Sequence, residues 1–236
     1  MRLQACLNGA RTRADHPAVP LTPEELAAEA VACARAGAAG VHVHPRGAEG
    51  RETMDVAAAV RALRECGAAG EISVSTGEWI EPDLERRLAA VRGWASCPPD
   101  VASVNFSEAG AEDVCRALGE AGVAVEAGLA TVADAERLLA AGVERLCRRV
   151  LVEVADRDGP AAVAHARAIE AAIDSVRPEW PRLVHGEEAA TWAVVRDAAQ
   201  RGRAVRIGLE DVLELPDGRR APDNAALVRA AADLLG

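Results

Sequence analysis

The sequence predicts a (βα)8 TIM barrel, one α/β domain over residues 1–236, and three observations carry that expectation. Eight short β-like runs alternate strictly with eight stretches of helical periodicity. The helix-to-strand junctions repeat, as Arg35-Ala36-Gly37-Ala38, Glu120-Ala121-Gly122-Val123 and Ala140-Ala141-Gly142-Val143. Polar residues also line one face of many strands, which a barrel interior below a functional site requires. A doubly wound sheet is the weaker alternative on that last count.

The elements follow in order. Strand 2–7 leads to a helix over 23–36, which opens on Thr22-Pro23-Glu24-Glu25, a capping residue, a first-turn proline and early acids. Strand 40–44 leads to helix 55–66, strand 71–75 to helix 81–92, and strand 101–106 to helix 109–120. The second half repeats the unit, with strands 123–128, 145–152, 182–185 and 204–209 followed by helices 131–140, 160–175, 187–200 and 223–234. The helical stretches are rich in Ala, Leu, Arg and Glu. Gly37, Gly67, Gly122 and Gly142 stand where a left-handed helix terminus favours glycine. No linker or low-complexity stretch divides the chain.

Composition narrows the function. Half of the residues are hydrophobic and 27% are charged, enough for a sizeable core and too apolar for a disordered chain. A net charge of −10 argues against nucleic acid or an anionic membrane as partner. No signal-peptide pattern or long apolar span is visible. A cytoplasmic protein acting on small molecules is therefore expected, and a homo-oligomer is the expected assembly. Cys6, Cys33, Cys66, Cys97, Cys115 and Cys147 form no CxxC pair and read as small buried hydrophobes in a reducing compartment. All 27 basic residues are arginine, so Schiff-base chemistry and lysine-anchored pyridoxal phosphate are excluded. For a carbonyl substrate, a metal is then the natural electrophile.

Two stretches point to such a metal: His42-Val43-His44, and Arg206-Ile207-Gly208-Leu209-Glu210-Asp211. Strand alternation puts His42 and His44 on one face and Arg206 and Glu210 on one face, with Val43, Ile207 and Leu209 opposite. Two imidazoles and one carboxylate suit a divalent cation with open coordination positions. The same alternation points Ser73, Ser75, Ser103, Asn105, Glu126 and His185 inward, with Thr76-Gly77 at the end of strand 3. Convergence from separate strands is stronger than any one motif, because each member has a plainer structural reading. Glu210 with Arg206 suits a buried ion pair, Glu126 a salt bridge, and the serines small packing residues. His16 and His165 read as surface residues, His185 as a residue at the site rim. Arg148-Arg149 and Arg219-Arg220 read as solvated charges, with phosphate contact the alternative.

The residues together resemble a known family. Asn8-Gly9-Ala10 and the following Thr12 to Glu25 are similar to the N-terminus of the β-keto acid cleavage enzymes, whose best-known member is the 3-keto-5-aminohexanoate cleavage enzyme. His42-Val43-His44-Pro45-Arg46 resembles that family's HxHxR strand, Ser75-Thr76-Gly77 its STG, and Arg206 to Asp211 its RxGxED. The resemblance covers essentially the whole chain. It implies a (βα)8 barrel holding Zn2+ on His42, His44 and Glu210. It also implies a retro-Claisen-type exchange between a β-keto acid and acetyl-CoA, giving acetoacetyl-CoA and a CoA ester product. Two departures stand out: Arg11 follows Gly9-Ala10 where the family commonly has a substrate-positioning glutamate, and the chain is shorter than most members.

The expected division of labour follows. The metal polarises the ketone as a Lewis acid, Asp211 is the general base, and Arg206 orients the neighbouring acid. Ser75, Thr76 and Asn105 bind substrate, and Glu126 completes the polar wall as a catalytic residue. A metal-dependent, class II-type aldolase or lyase without CoA, and a ligand-binding barrel that has lost catalysis, are the alternatives.

Overall fold

The computed structural model describes residues 2–155 and 158–236. Eight parallel strands close into a barrel in sequence order. They are β1 (Leu3–Cys6), β2 (Gly40–Val43), β3 (Glu71–Ser75), β4 (Val101–Asn105), β5 (Ala124–Leu129), β6 (Cys147–Val154), β7 (Arg182–Gly186) and β8 (Ala204–Ile207). The outer ring is α1 (Pro23–Arg35), α2 (Ala57–Glu65), α3 (Leu84–Gly93), α4 (Ala111–Glu120), α5 (Val132–Ala140), α6 (Gly159–Asp174), α7 (Thr191–Gln200) and α8 (Asn224–Leu235). The expected (βα)8 barrel is therefore the fold, and each expected strand and helix has its counterpart.

The strands' two faces divide the labour. Leu3, Ala5, Val41, Val43, Ile72 and Val74 alternate outward and belong to one continuous buried core with the helices. The helices meet them with apolar stripes. In α4 the buried Ala111, Val114, Cys115 and Leu118 stand at i, i+3, i+4 and i+7. Fully burying a side chain such as Leu118 contributes about 1.5–3 kcal/mol. Helix starts are set by caps: Thr22 accepts from Glu25 in a capping box, and Asp83 accepts from the Arg86 amide. The Asp83 cap starts α3 three residues later than its periodicity suggested. The α7 stretch likewise begins at Thr191, because Glu188–Ala190 forms a separate 3-10 turn. Gly67, Gly122 and Gly142 take φ of +67°, +75° and +67°, as expected after their helices.

The inner face mixes polar side chains with buried apolar ones such as Leu151 and Leu183, and its lower end is an ion-pair plug. Glu71 opens β3, and Arg149 of β6 reaches it at 2.7 Å while also meeting Glu126 of β5 at 2.5 Å. Burial disfavours the Arg149 cation, but Glu126 and Glu71 reverse that and raise its pKa. Arg148 alongside remains half exposed on Glu71. Two expectations are thereby corrected. Arg149 is not a solvated charge, and Glu126, although inward as alternation required, sits in the plug layer rather than in the cavity wall. His16 is a third correction. It is buried, with Nε2 2.8 Å from the Ala221 carbonyl, because it ties the β1 loop to the segment before α8.

The upper end closes through one tight approach. A Cβ on Gly208 would lie 1.8 Å from the Cys6 carbonyl oxygen, so this position requires glycine for space alone. Gly208→Ala is expected to destabilise by about 1–3 kcal/mol through overpacking, lowering Tm by roughly 2–4 °C per kcal/mol for a domain of this size. An unchanged melting curve would contradict the packing. Glu126→Gln should shift the urea midpoint by about 3 kcal/mol equivalent, the lower end for a broken buried pair because Glu71 remains, with metal uptake intact. Unchanged stability with lost turnover would return Glu126 to catalysis.

Candidate active site and metal centre

β2 delivers both histidines to one point. His42 lies within the strand and His44 one residue beyond its end. Their Nε2 atoms are 3.0 Å apart, and His44 Nε2 is 3.4 Å from Glu210 Oε1. One ligand atom from each of the three residues lies within 4.8 Å of the others. The opposite ring nitrogens are occupied, His42 Nδ1 by Ser73 Oγ at 2.9 Å and His44 Nδ1 by Glu52. Glu210 Oε2 is buried with no hydrogen-bond partner among the described residues. A buried carboxylate oxygen without a donor is costly, and the two imidazole nitrogens beside this carboxylate complete a donor set that fits a divalent cation.

Glu210 reaches this point by a different path from the one alternation suggested. β8 ends at Ile207, and the chain then turns, with the Asp211 and Val212 amides donating to the Gly208 carbonyl. Arg206 and Glu210 therefore meet as an i, i+4 pair across a turn, at 2.5 Å, and not along one strand face. The same Arg206 terminus lies 3.2 Å from Asp211 Oδ1. Asp211 also meets His185 Nδ1 at 3.2 Å and accepts from the Cys6 thiol at 2.6 Å.

Burial and charge compete at each of these groups. For Glu210, burial favours the neutral acid, but Arg206, His44 and His42 hold it well below the usual carboxylate range. Asp211 is lowered by the same contest, with Arg206 and His185 outweighing burial. Burial holds His42 neutral, well below the usual imidazole value. His44 is likewise buried, yet Glu210 and Glu52 raise it to about 9. His185 also rises to about 9, since Asp211 and Glu153 outweigh burial and the repulsion of Arg206.

The cavity above these groups is lined by His42, His44, Glu210 and Arg206, with Ser75, Ser103 and Asn105 from β3 and β4. Ser75 and Asn105 are thus presented as expected. Thr76 is not, because its hydroxyl donates to the Ser103 carbonyl at 2.7 Å and joins β3 to β4. Asp211 has no exposed side chain and lies beneath the cavity, as does His185, expected at the rim. Among the residues lining the cavity, Glu153, Glu187 and Trp79 were not anticipated, and neither was Glu52, which lies behind His44. Glu153 shares the inward parity of Arg149 and Leu151 but falls just past the expected strand end. Trp79 and Glu52 lie in loops, where alternation gives no direction. Arg11 stands where the family's glutamate was expected, and its side chain holds the Glu210 carbonyl at 3.2 Å and Glu188 at 2.5 Å.

Comparison with known proteins places this geometry. Apo ObcA superposes with a TM-score of 0.70 at 19% identity, over 92% of this chain and 61% of ObcA. The ObcA complex with oxaloacetate gives 0.71 at 19%, over 92% of this chain and 63% of that one. The 3-dehydroquinate dehydratase of Aquifex aeolicus VF5 gives 0.62 at 11%, over 100% and 97%. These likenesses concern the barrel, and the chain spans about three-fifths of the length of ObcA. The beta-keto acid cleavage enzyme family model matches residues 1–236. A sequence match over the full barrel, with the His-His-Glu set at its mouth, makes this chain a member of the beta-keto acid cleavage enzyme family.

Proposed function

We propose that this chain is a zinc-dependent enzyme that exchanges acyl groups between a β-keto acid and acetyl-CoA. The observation that carries the proposal is the His42–His44–Glu210 donor set facing the cavity of a beta-keto acid cleavage enzyme family member. Among the solved structures with this fold, one is a ternary complex of ObcA with a C4-CoA adduct and oxalate, which supports CoA chemistry on such a barrel.

Thiol balance amends the products expected from the sequence. One CoA enters, so one CoA ester leaves, and acetoacetyl-CoA together with a second ester would need two thiols. The balanced exchange is R–CO–CH2–COO− plus acetyl-CoA giving acetoacetate plus R–CO–CoA. C2 of the keto acid loses a proton and bonds to the acetyl carbonyl carbon, expelling the thiolate. The thiolate then bonds to the original ketone carbon, the C2–C3 bond breaks, and C2 regains a proton. No oxidant is consumed.

His42, His44 and Glu210 are the proposed ligands, and zinc bound there supplies Lewis acidity toward the ketone oxygen. Ser75 and Asn105 donate to or accept from the substrate at the β3 and β4 wall. Arg206 orients Glu210 and keeps both adjacent acids ionised. Asp211 remains the proposed base. It is sealed from the cavity, but His185 joins it to Glu153, whose Oε2 lies 3.4 Å from His185 Nε2 at the cavity edge. That chain of close polar contacts, Glu153 to His185 to Asp211, is the proposed route by which a proton taken at C2 reaches Asp211.

Mass spectrometry on a panel of β-keto acids with and without acetyl-CoA tests the exchange. Acetoacetate and a new acyl-CoA, formed only when both reactants are present, are expected; cleavage without CoA would favour a lyase instead. Glu210→Gln should lower zinc content and turnover together, since an amide is a poor zinc ligand. Asp211→Asn should keep zinc yet lose turnover by about 10²–10⁴-fold. Full activity in both variants would place the site elsewhere.

Zinc binding should also release a proton. A ligand imidazole must be neutral, and His44 without metal is protonated below about 9. Affinity should therefore strengthen by about tenfold per pH unit up to that value. Titration calorimetry in buffers of different ionisation enthalpy reads the proton count directly, and zero protons released at neutral pH would contradict the His44 environment.

A further inference from the structure

The loop after β2 folds back as a small hairpin, with Arg46 and Glu52 bridged antiparallel, and this returns Glu52 to His44. The Glu52 side chain is 11% exposed, so its two oxygens meet protein rather than water. Oε1 holds His44 Nδ1, and Oε2 accepts from the Trp79 indole Nε1 at 3.1 Å. The Trp79 ring also stacks on the His44 ring, at 6.4 Å between centroids and 18° between planes. Gly77 makes room for this: a Cβ there would lie 2.3 Å from the indole. Trp79 is nonetheless 53% exposed and lines the cavity mouth. His42, by contrast, has a serine hydroxyl behind it, at Nδ1.

We infer that Glu52 is a positioning residue for the metal centre, and that Trp79, held by Glu52 and by His44, is a cap at the cavity mouth whose setting depends on metal binding. The inference rests on the zinc reading of His42, His44 and Glu210. His44 Nδ1 and Trp79 Nε1 are N–H donors, and Arg46 Nη1 lies 3.9 Å from Oε2, so the position needs an acceptor at each oxygen, which a carboxylate provides and an amide does not. Accepting from Nδ1 fixes the tautomer that leaves Nε2 free for a metal and raises its basicity. The indole donates to the same carboxylate, so movement of His44 toward a cation shifts the ring stacked on it.

Zinc titration against a chromophoric chelator, with tryptophan emission followed in parallel, tests this on the full chain. Wild type should bind one zinc and change its emission, and Trp79→Phe should still bind zinc while losing that change. Glu52→Gln should weaken zinc by about 10–100-fold, with Glu52→Asp recovering part of the loss and circular dichroism unchanged. Should Glu52→Gln not fold, the Trp79→Phe emission result decides alone. Wild-type zinc affinity in Glu52→Gln, or an emission change that survives in Trp79→Phe, overturns the inference. Failure of the wild type to bind zinc at all would instead defeat the metal reading beneath it.

Discussion

One buried guanidinium, Arg206, holds two adjacent carboxylates in the barrel mouth, and the candidate site depends on that arrangement. Glu210 and Asp211 stand next to each other in sequence and would repel if both were ionised in a dry interior. Arg206 meets both, at 2.5 and 3.2 Å, and is itself held far above its ordinary pKa by them despite burial. At an effective dielectric of about 20, a charge pair at contact contributes on the order of 4 kcal/mol before desolvation is counted. Glu210 can then face His42 and His44 as a carboxylate, while Asp211 turns down to His185 and Cys6. The turn that separates the two acids is set by Gly208, whose lack of a Cβ lets it approach β1.

The absence of lysine acquires a structural meaning from the same geometry. Arg206 bridges Glu210 and Asp211, Arg149 bridges Glu126 and Glu71, and Arg201 bridges Glu170 and Asp197. Arg149 and Arg201 do this through two separate nitrogens of one planar guanidinium, a fork that a compact ammonium lacks, while Arg206 reaches both of its acids through Nη2. The barrel interior is thus divided by two such bridges. The lower one is a plug that carries stability. The upper one, Arg206, leaves Glu210 Oε2 without a donor among the described residues, on a carboxylate that lies beside two histidines.

Face was legible in the sequence, whereas depth and loop return were not. Period-two alternation placed His42, Ser75, Asn105, Glu126 and Arg206 inward, and all of them point inward. Alternation carries no information about height along the barrel axis, which is why Glu126 was expected at the cavity and belongs to the plug. Height depends on the stagger between strands, a property of closure rather than of any one segment. Glu210 shows a subtler case: the pairing with Arg206 was foreseen, but a turn produces it. Glu52 and Trp79 were invisible because loop residues gain direction only from long-range contacts, here with His44. His16 was hidden for the same reason, its partner being the carbonyl of Ala221.

Anomalous diffraction at the zinc absorption edge, from crystals grown with zinc and without chelator, tests the metal centre most directly. One strong peak should lie between Nε2 of His42, Nε2 of His44 and the Glu210 carboxylate. No peak there, or a dominant peak elsewhere in the chain, would contradict it.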